Sequence, residues 1–392
     1  MYWGLREWNL WERRSLPLIC EEAVSLTAQD GVKVEATLHY DNSFPLCTAL
    51  TIMHPTADWR HHYILKHLAE RGLGALGFTT RYTGREADLI LEDTILDTAA
   101  GIEFLRSRGY SRVVGIGNSG GGEIIAVYQS QVEHPTITGT PLGDPPDLTK
   151  AKLPPMDGLI FLNSHKGRPL SITRGLDPCV GGEDGNNPLR YDPSLDMYNP
   201  HNGPPYSRTF QERYQAAQVE RNYKITSWCQ RKLKELKHVG NLLLKDFPFI
   251  VHRTDANLNY LDASIDPSDR SGRTIWDEDP RITNYTVGPL RGRSTRLRVF
   301  TARSWLSQRG LATSQFDIMR HLHRCHLPVL VICGTAEASG PRAAQDIFGA
   351  APDPEKKLAW IKGGTHFMTG QEDKQVEVAS TIAQWIQDRG LG

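Results

Sequence analysis

The chain has 392 residues, 45 of them basic and 45 acidic, and 39% are hydrophobic, enough to bury a large core in an α/β domain that carries an insertion. The balanced charge supplies neither the basic face that nucleic acid needs nor an acidic disordered tail. No apolar run approaches the ~20 residues of a membrane helix or forms the apolar region of a signal peptide, so the expectation is a soluble cytoplasmic protein acting on a small molecule, with no nucleic acid and no membrane as partner.

The first ten residues or so, Tyr2 to Trp11, carry three of the nine tryptophans, and such a segment must pack on something. An arm sealing the core is one reading; a dimer contact or a pocket rim is the other, so a homodimer stays open. Ala23 to Leu26 and the alternating Val32 to Leu38, separated by the turn residues Asp30 and Gly31, read as an antiparallel pair. The rhythm then changes. Ala49 to Met53 predicts a strand, Tyr63 to Arg71 a helix, Ala75 to Phe78 a strand, Ile90 to Ser107 a helix and Arg112 to Gly117 a strand. Alternation of this kind implies parallel strands joined by right-handed crossovers. Gly158 to Leu162, Val329 to Ile332 and Leu358 to Ile361 continue the strand series, and Val376 to Trp385 closes it with a helix.

The strand at 112–117 runs into Gly117-Asn118-Ser119-Gly120-Gly121, with a helical stretch from Glu123 behind it. A serine on a strand-to-helix turn with glycine two residues away on each side is a G-x-S-x-G nucleophile elbow. Ser119 is therefore the candidate nucleophile. A serine hydroxyl is a weak nucleophile near neutral pH and needs a base, which in turn needs an orienting group. The strand 329–332 leads into Gly334-Thr335-Ala336-Glu337, which presents a carboxylate; Trp360-Ile361 leads into Gly363-Gly364-Thr365-His366, which presents an imidazole. Glu337 is the candidate acid and His366 the candidate base, with a carboxylate following Leu162 as the alternative acid.

In this order of serine, acid and histidine the chain resembles the α/β-hydrolase superfamily over residues ~20–163 and ~325–392. The resemblance implies an α/β fold with a mostly parallel central sheet flanked by helices, and it implies a serine hydrolase. Glutamate stands where that family more often has aspartate. It also implies an oxyanion hole from the amide of Gly120 and an amide in His54-Pro55-Thr56-Ala57-Asp58; since proline has no N–H, Thr56 is the expected second donor. His54 is expected to hold that loop in shape.

Between Leu162 and Pro328 the alternation breaks for over 150 residues. A structureless loop of that length is improbable, so residues 164–315 are expected to form a large helical and irregular cap between core segments 1–163 and 316–392. Apolar residues recur at helical spacing from Phe210 to Leu236, which predicts a long helix packing the cap. His165, Lys166 and Arg168 leave the sheet edge where the cap begins, and either bind an anionic or carbonyl-rich substrate group or bridge cap to core. His165, Arg168 and Trp305 are the candidate substrate-binding residues.

The six cysteines lack C-x-x-C spacing, and His321, His323 and His326 around Cys325 read as a solvated helix end and not a ligand set, as do His61, His62 and His67. No metal and no cofactor are expected, since no nucleotide or zinc motif occurs. The expected activity is cleavage of a carboxylic ester, lactone or amide through an acyl-enzyme on Ser119. Carbon–carbon bond hydrolysis of a diketone-like substrate or acyl transfer by the same triad are the alternatives within enzymes, and a non-catalytic ligand receptor is the alternative outside them.

Overall fold

The computed structural model describes residues 19–239, 244–265, 298–337 and 341–392; the Trp-rich arm lies outside the described residues. Eight strands form one sheet: β1 (Ile19–Thr27), β2 (Lys33–Asp41), β3 (Thr48–Met53), β4 (Gly74–Phe78), β5 (Arg112–Asn118), β6 (Gly158–Leu162), β11 (Val329–Gly334) and β12 (Lys357–Ile361). Their spatial order is β1-β2-β4-β3-β5-β6-β11-β12. The first three of these pair antiparallel and the rest parallel.

Side chains of the parallel strands divide between two apolar layers with a period of two, as pleating requires. Leu159 and Phe161 of β6 join one layer with Val331 and Cys333 of β11; Ile160 and Leu162 join the other with Leu330 and Ile332. Both faces are covered, which is why these strands read as unbroken apolar runs. The first layer packs on α2 (Leu91–Ser107), α3 (Gly121–Glu133) and α8 (Pro341–Ala350), the second on α1 (Ile64–Ala69) and α9 (Glu372–Asp388). Trp385 of α9 is 1% exposed; a side chain of its size buried to that degree contributes about 1.5–3 kcal/mol.

Residues between β6 and β11 build two apolar clusters of their own. The long α5 (Arg208–Val239) supplies Ile225, Cys229 and Leu233 to one and Phe210 and Tyr214 to the other. The remaining elements are α4 (Arg168–Gly175), the short strands β7 (Val180–Gly181), β8 (Asn187–Tyr191), β9 (Pro248–Val251) and β10 (Arg298–Thr301), α6 (Ala302–Gln308) and α7 (Ile318–His321). β7 pairs with β8 and β9 with β10.

Polar contacts fasten α6 to the segment that leads into α2. The Ser307 hydroxyl accepts the Leu91 N–H at 2.8 Å and donates to Glu92 at 2.6 Å. Ser304 donates to the Ala87 carbonyl and Gln308 to the Glu86 carbonyl. Burial raises the Glu92 carboxyl to about 7 despite these donors. No helix among the described residues is long and apolar enough to cross a membrane.

Candidate active site

β5 ends at Asn118 and α3 begins at Gly121, so Ser119 and Gly120 make the turn. Ser119 has φ 54°, in the left-handed region that costs a non-glycine residue of order 1–3 kcal/mol. Neighbouring glycines make this turn sterically feasible. A Cβ on Gly121 would collide with the Met53 carbonyl oxygen, and one on Gly122 would come within 2.6 Å of the Ser164 hydroxyl. The Ser119 N–H donates to Leu162 O at 3.1 Å, which pins the elbow to the end of β6.

Glu337 and His366, 29 residues apart, meet: His366 Nδ1 bonds the Glu337 carboxylate. Glu337 is 2% exposed. Burial works against a charged ring at His366, but the Glu337 charge and hydrogen bond outweigh it and raise the ring above its ordinary 6.5. The loops carrying the two residues are packed backbone to backbone, since a Cβ at Gly334 would strike the Gly364 carbonyl. Gly363 N–H donates to the Thr335 hydroxyl and Ala336 N–H to Gly364 O.

Asn163, which composition and spacing did not single out, ties the site together. Its Nδ2 donates to His366 O at 2.8 Å and to Thr365 O at 3.2 Å, while its Oδ1 accepts the Gly334 N–H at 2.8 Å. It is 2% exposed and adopts φ 47°. Consecutive residues 162 and 163 thus hold the main chains of Ser119 and His366 respectively. His366 does not hydrogen-bond to Ser119 among the described residues; catalytic hydrogen bonds in ligand-free sites often form only with substrate present. Asn163 was legible only as the residue after a buried strand, at the edge where α/β sheets place their sites.

The loop after β3 is shaped by His54, whose Nδ1 accepts N–H groups from Thr56 at 3.2 Å and Ala57 at 2.9 Å. The Thr56 amide is therefore turned to the histidine in this conformation. Burial, then the positive charge of Arg168, holds His54 well below its ordinary pKa, so it is neutral and able to accept.

Arg168 opens α4 and lies on the elbow. A Cβ on Gly120 would sit 2.7 Å from its Nη1 and 3.0 Å from its Nη2. It pairs with Glu123 in the first turn of α3, and its own N–H donates to Glu123 Oε2 at 2.6 Å; the two side chains are 5% and 0% exposed. Lys166 likewise pairs with Asp346 at 2.6 Å. His165 Nδ1 accepts the Gly167 N–H at 3.2 Å, and burial followed by the charges of Arg168 and Arg309 lowers its ring to about 3.

Trp305, expected at the pocket by its position, is instead enclosed in an apolar cluster with Phe249 and Phe300. It is 0% exposed, lies 5.4 Å from the Phe300 ring and 6.1 Å from Phe249, and donates from its indole N–H to Thr226 at 3.0 Å. A fully packed indole with its one donor satisfied has no edge left for a ligand. His321 also departs from expectation: it is buried, and its ring bonds Ser130 and the Gln315 carbonyl. His326 turns away to Glu133 at 3.2 Å. Glu133, His134 and His326 bring their ligand atoms within 4.8 Å of one another near the surface.

No family model matches the chain, and neither does any curated protein. Solved structures do match. DcsB, in complex with its substrate analogue, aligns over 95% of this chain and 100% of its own at 12% identity and a TM-score of 0.52. The hypothetical protein PA2218 from Pseudomonas aeruginosa aligns over 95% and 94% at 13% identity and 0.51. The alpha/beta hydrolase GrgF from Penicillium sp. sh18 aligns over 94% and 99% at 11% identity and 0.50. The fold is that of the α/β hydrolases. In this α/β-hydrolase fold the elbow, the His366 loop and the Glu337 loop all follow the carboxyl ends of parallel strands, where ligands of such sheets bind.

Proposed function

We propose that the protein is a serine hydrolase that cleaves a carboxylic ester of a small organic substrate. The observation that carries this reading is the bonding of Glu337 to His366 Nδ1, in a loop that Asn163 anchors beside the strained Ser119. A carboxylate on Nδ1 leaves Nε2 unprotonated in the neutral ring, the form a general base needs.

In this mechanism Ser119 Oγ attacks the ester carbonyl carbon as His366 Nε2 takes the hydroxyl proton. Glu337 stabilises the imidazolium that forms. The carbonyl π-electrons move to oxygen, then return as the C–O bond to the alcohol breaks, and His366 gives its proton to the departing alkoxide. Water, deprotonated by His366, attacks the acyl-enzyme; collapse releases the acid and returns the proton to Ser119. The Gly120 amide, at the opening of α3, is the donor proposed for the oxyanion, a role worth about 2.7–4 kcal/mol. Thr56 would supply the second by giving up its bond to His54.

Replacing Ser119 with alanine tests this reading. Turnover of a panel of short-chain esters should fall to the uncatalysed background while the urea midpoint of unfolding stays within error. An alanine variant that keeps its ester turnover would exclude Ser119 as the nucleophile.

A further inference from the structure

A linked group of charges lies beside the elbow, and two of its arginines are deeply buried. Arg168 and Arg309 have side chains 5% and 6% exposed. Arg168 pairs with Glu123, while Arg309 and Arg298 share Glu86, the latter at 3.0 Å. The five groups form one electrostatic unit: Arg309 feels Glu86, Arg298, Arg168 and Glu123, and Glu86 is drawn down to about 2 because the three arginines outweigh the cost of its burial. His54 and His165 beside them are held neutral. Glu337 is engaged by His366. Three guanidinium groups thus share two carboxylates, Arg298 and Glu86 being partly exposed at 37% and 36%, and Glu337 is a third anion nearby.

The donors of these two arginines are not all used. Glu123 takes Nη1 of Arg168 and the Arg168 main-chain N–H, which fixes the guanidinium plane. Arg168 Nε and Arg309 Nε are buried without a hydrogen-bond partner among the described residues. A buried unsatisfied donor on a charged group is costly, and Arg168 carries it while lying 3 Å from where a Gly120 side chain would be. Any larger residue at position 120 would displace the guanidinium from the elbow.

We propose that Arg168, backed by Arg309, anchors a carboxylate on the acyl part of the substrate, so that the preferred substrates are monoesters of dicarboxylic acids. This rests on the serine-hydrolase reading and assigns its substrate class. Arg168 is a specificity residue: it holds one end of the acyl chain while Ser119 attacks the other. A fork of donors on a rigid plane suits a carboxylate better than a neutral carbonyl.

The test compares monoethyl succinate, glutarate and adipate with the ethyl esters of butyric, pentanoic and hexanoic acid, matched in acyl carbon count, by pH-stat titration. A charge-assisted hydrogen bond predicts that kcat/KM for at least one anionic ester exceeds its neutral match by about 10- to 100-fold. Arg168→Gln alone strands Glu123 without its cation, so the variant used is the pair Arg168→Met with Glu123→Gln, in which the ratio should fall to near 1. A turnover-free reading accompanies it: adipate should slow fluorophosphonate labelling of Ser119 at concentrations where adipamide does not. Ratios near or below 1 at all three lengths, or a ratio that survives in the folded double variant, overturn the anchor while labelling of Ser119 leaves the hydrolase reading in place. Neither turnover nor labelling of the native protein removes both.

Discussion

Glu337→Gln removes one charge and almost no volume, and the structure says what should follow. The native carboxylate is 2% exposed and bonded to His366 Nδ1. A neutral amide there no longer holds the productive tautomer or stabilises the imidazolium, a loss of about 10⁴-fold in kcat, or roughly 5.5 kcal/mol. KM should change little, because Glu337 acts on the base. The pH profile supplies an independent reading. His366 works as a base when neutral, and its pKa is raised above 6.5 in the native protein, so kcat/KM should rise with pH through an acidic limb above 6.5. In the variant burial acts alone and depresses the ring, so the limb should move below 6.5. The same shift is a statement about stability: a raised histidine pKa contributes in full below pH 6.5 and is lost as pH rises through the folded-state value. The variant should therefore lose more stability relative to the native chain at acid than at alkaline pH. Ester kinetics from pH 5 to 9 measure both parameters. A loss in kcat under tenfold with an unmoved limb would refute the assignment of Glu337.

Two further substitutions probe what holds the site in place. Gly121→Ala puts a methyl group into the Met53 carbonyl, so β3 or the elbow must move; overpacking of this kind costs about 1–3 kcal/mol or more, read as a fall in the urea midpoint, and a change below 0.5 kcal/mol would contradict the close approach. Asp177→Asn removes the carboxylate that pairs with the Arg253 side chain, which is 6% exposed. The expected cost is about 3–5 kcal/mol, with protease sensitivity appearing first between residues 164 and 315; unchanged proteolysis and stability would contradict it.

The parallel core could be read from the chain because its signals are local. A strand buried on both faces leaves an apolar run, a crossover helix leaves ten or more residues of helical character, and an elbow needs small residues at fixed offsets. Ser119, Glu337 and His366 could be named as candidates because each follows such a strand. Asn163 was not, since its hydrogen bonds reach 171 to 203 residues along the chain and leave no local pattern. The same holds for the pairing of Arg168 with Glu123, 45 residues apart, which joins the start of α4 to the first turn of α3. Trp305 misled because an aromatic among polar residues looks like a pocket edge, while its neighbours Phe249 and Phe300 come from short strands too brief to predict. Strands of two to five residues, such as β7 to β10, are held by packing against their neighbours and carry little propensity of their own.

The central claim is that Ser119 is an activated nucleophile, and a fluorophosphonate probe followed by peptide mapping tests it most directly. The account predicts one adduct per chain, on Ser119, formed quickly in the native protein and at least a hundred-fold more slowly in His366→Ala. Folded protein that takes no adduct at Ser119, or takes it at the same rate without His366, would contradict it.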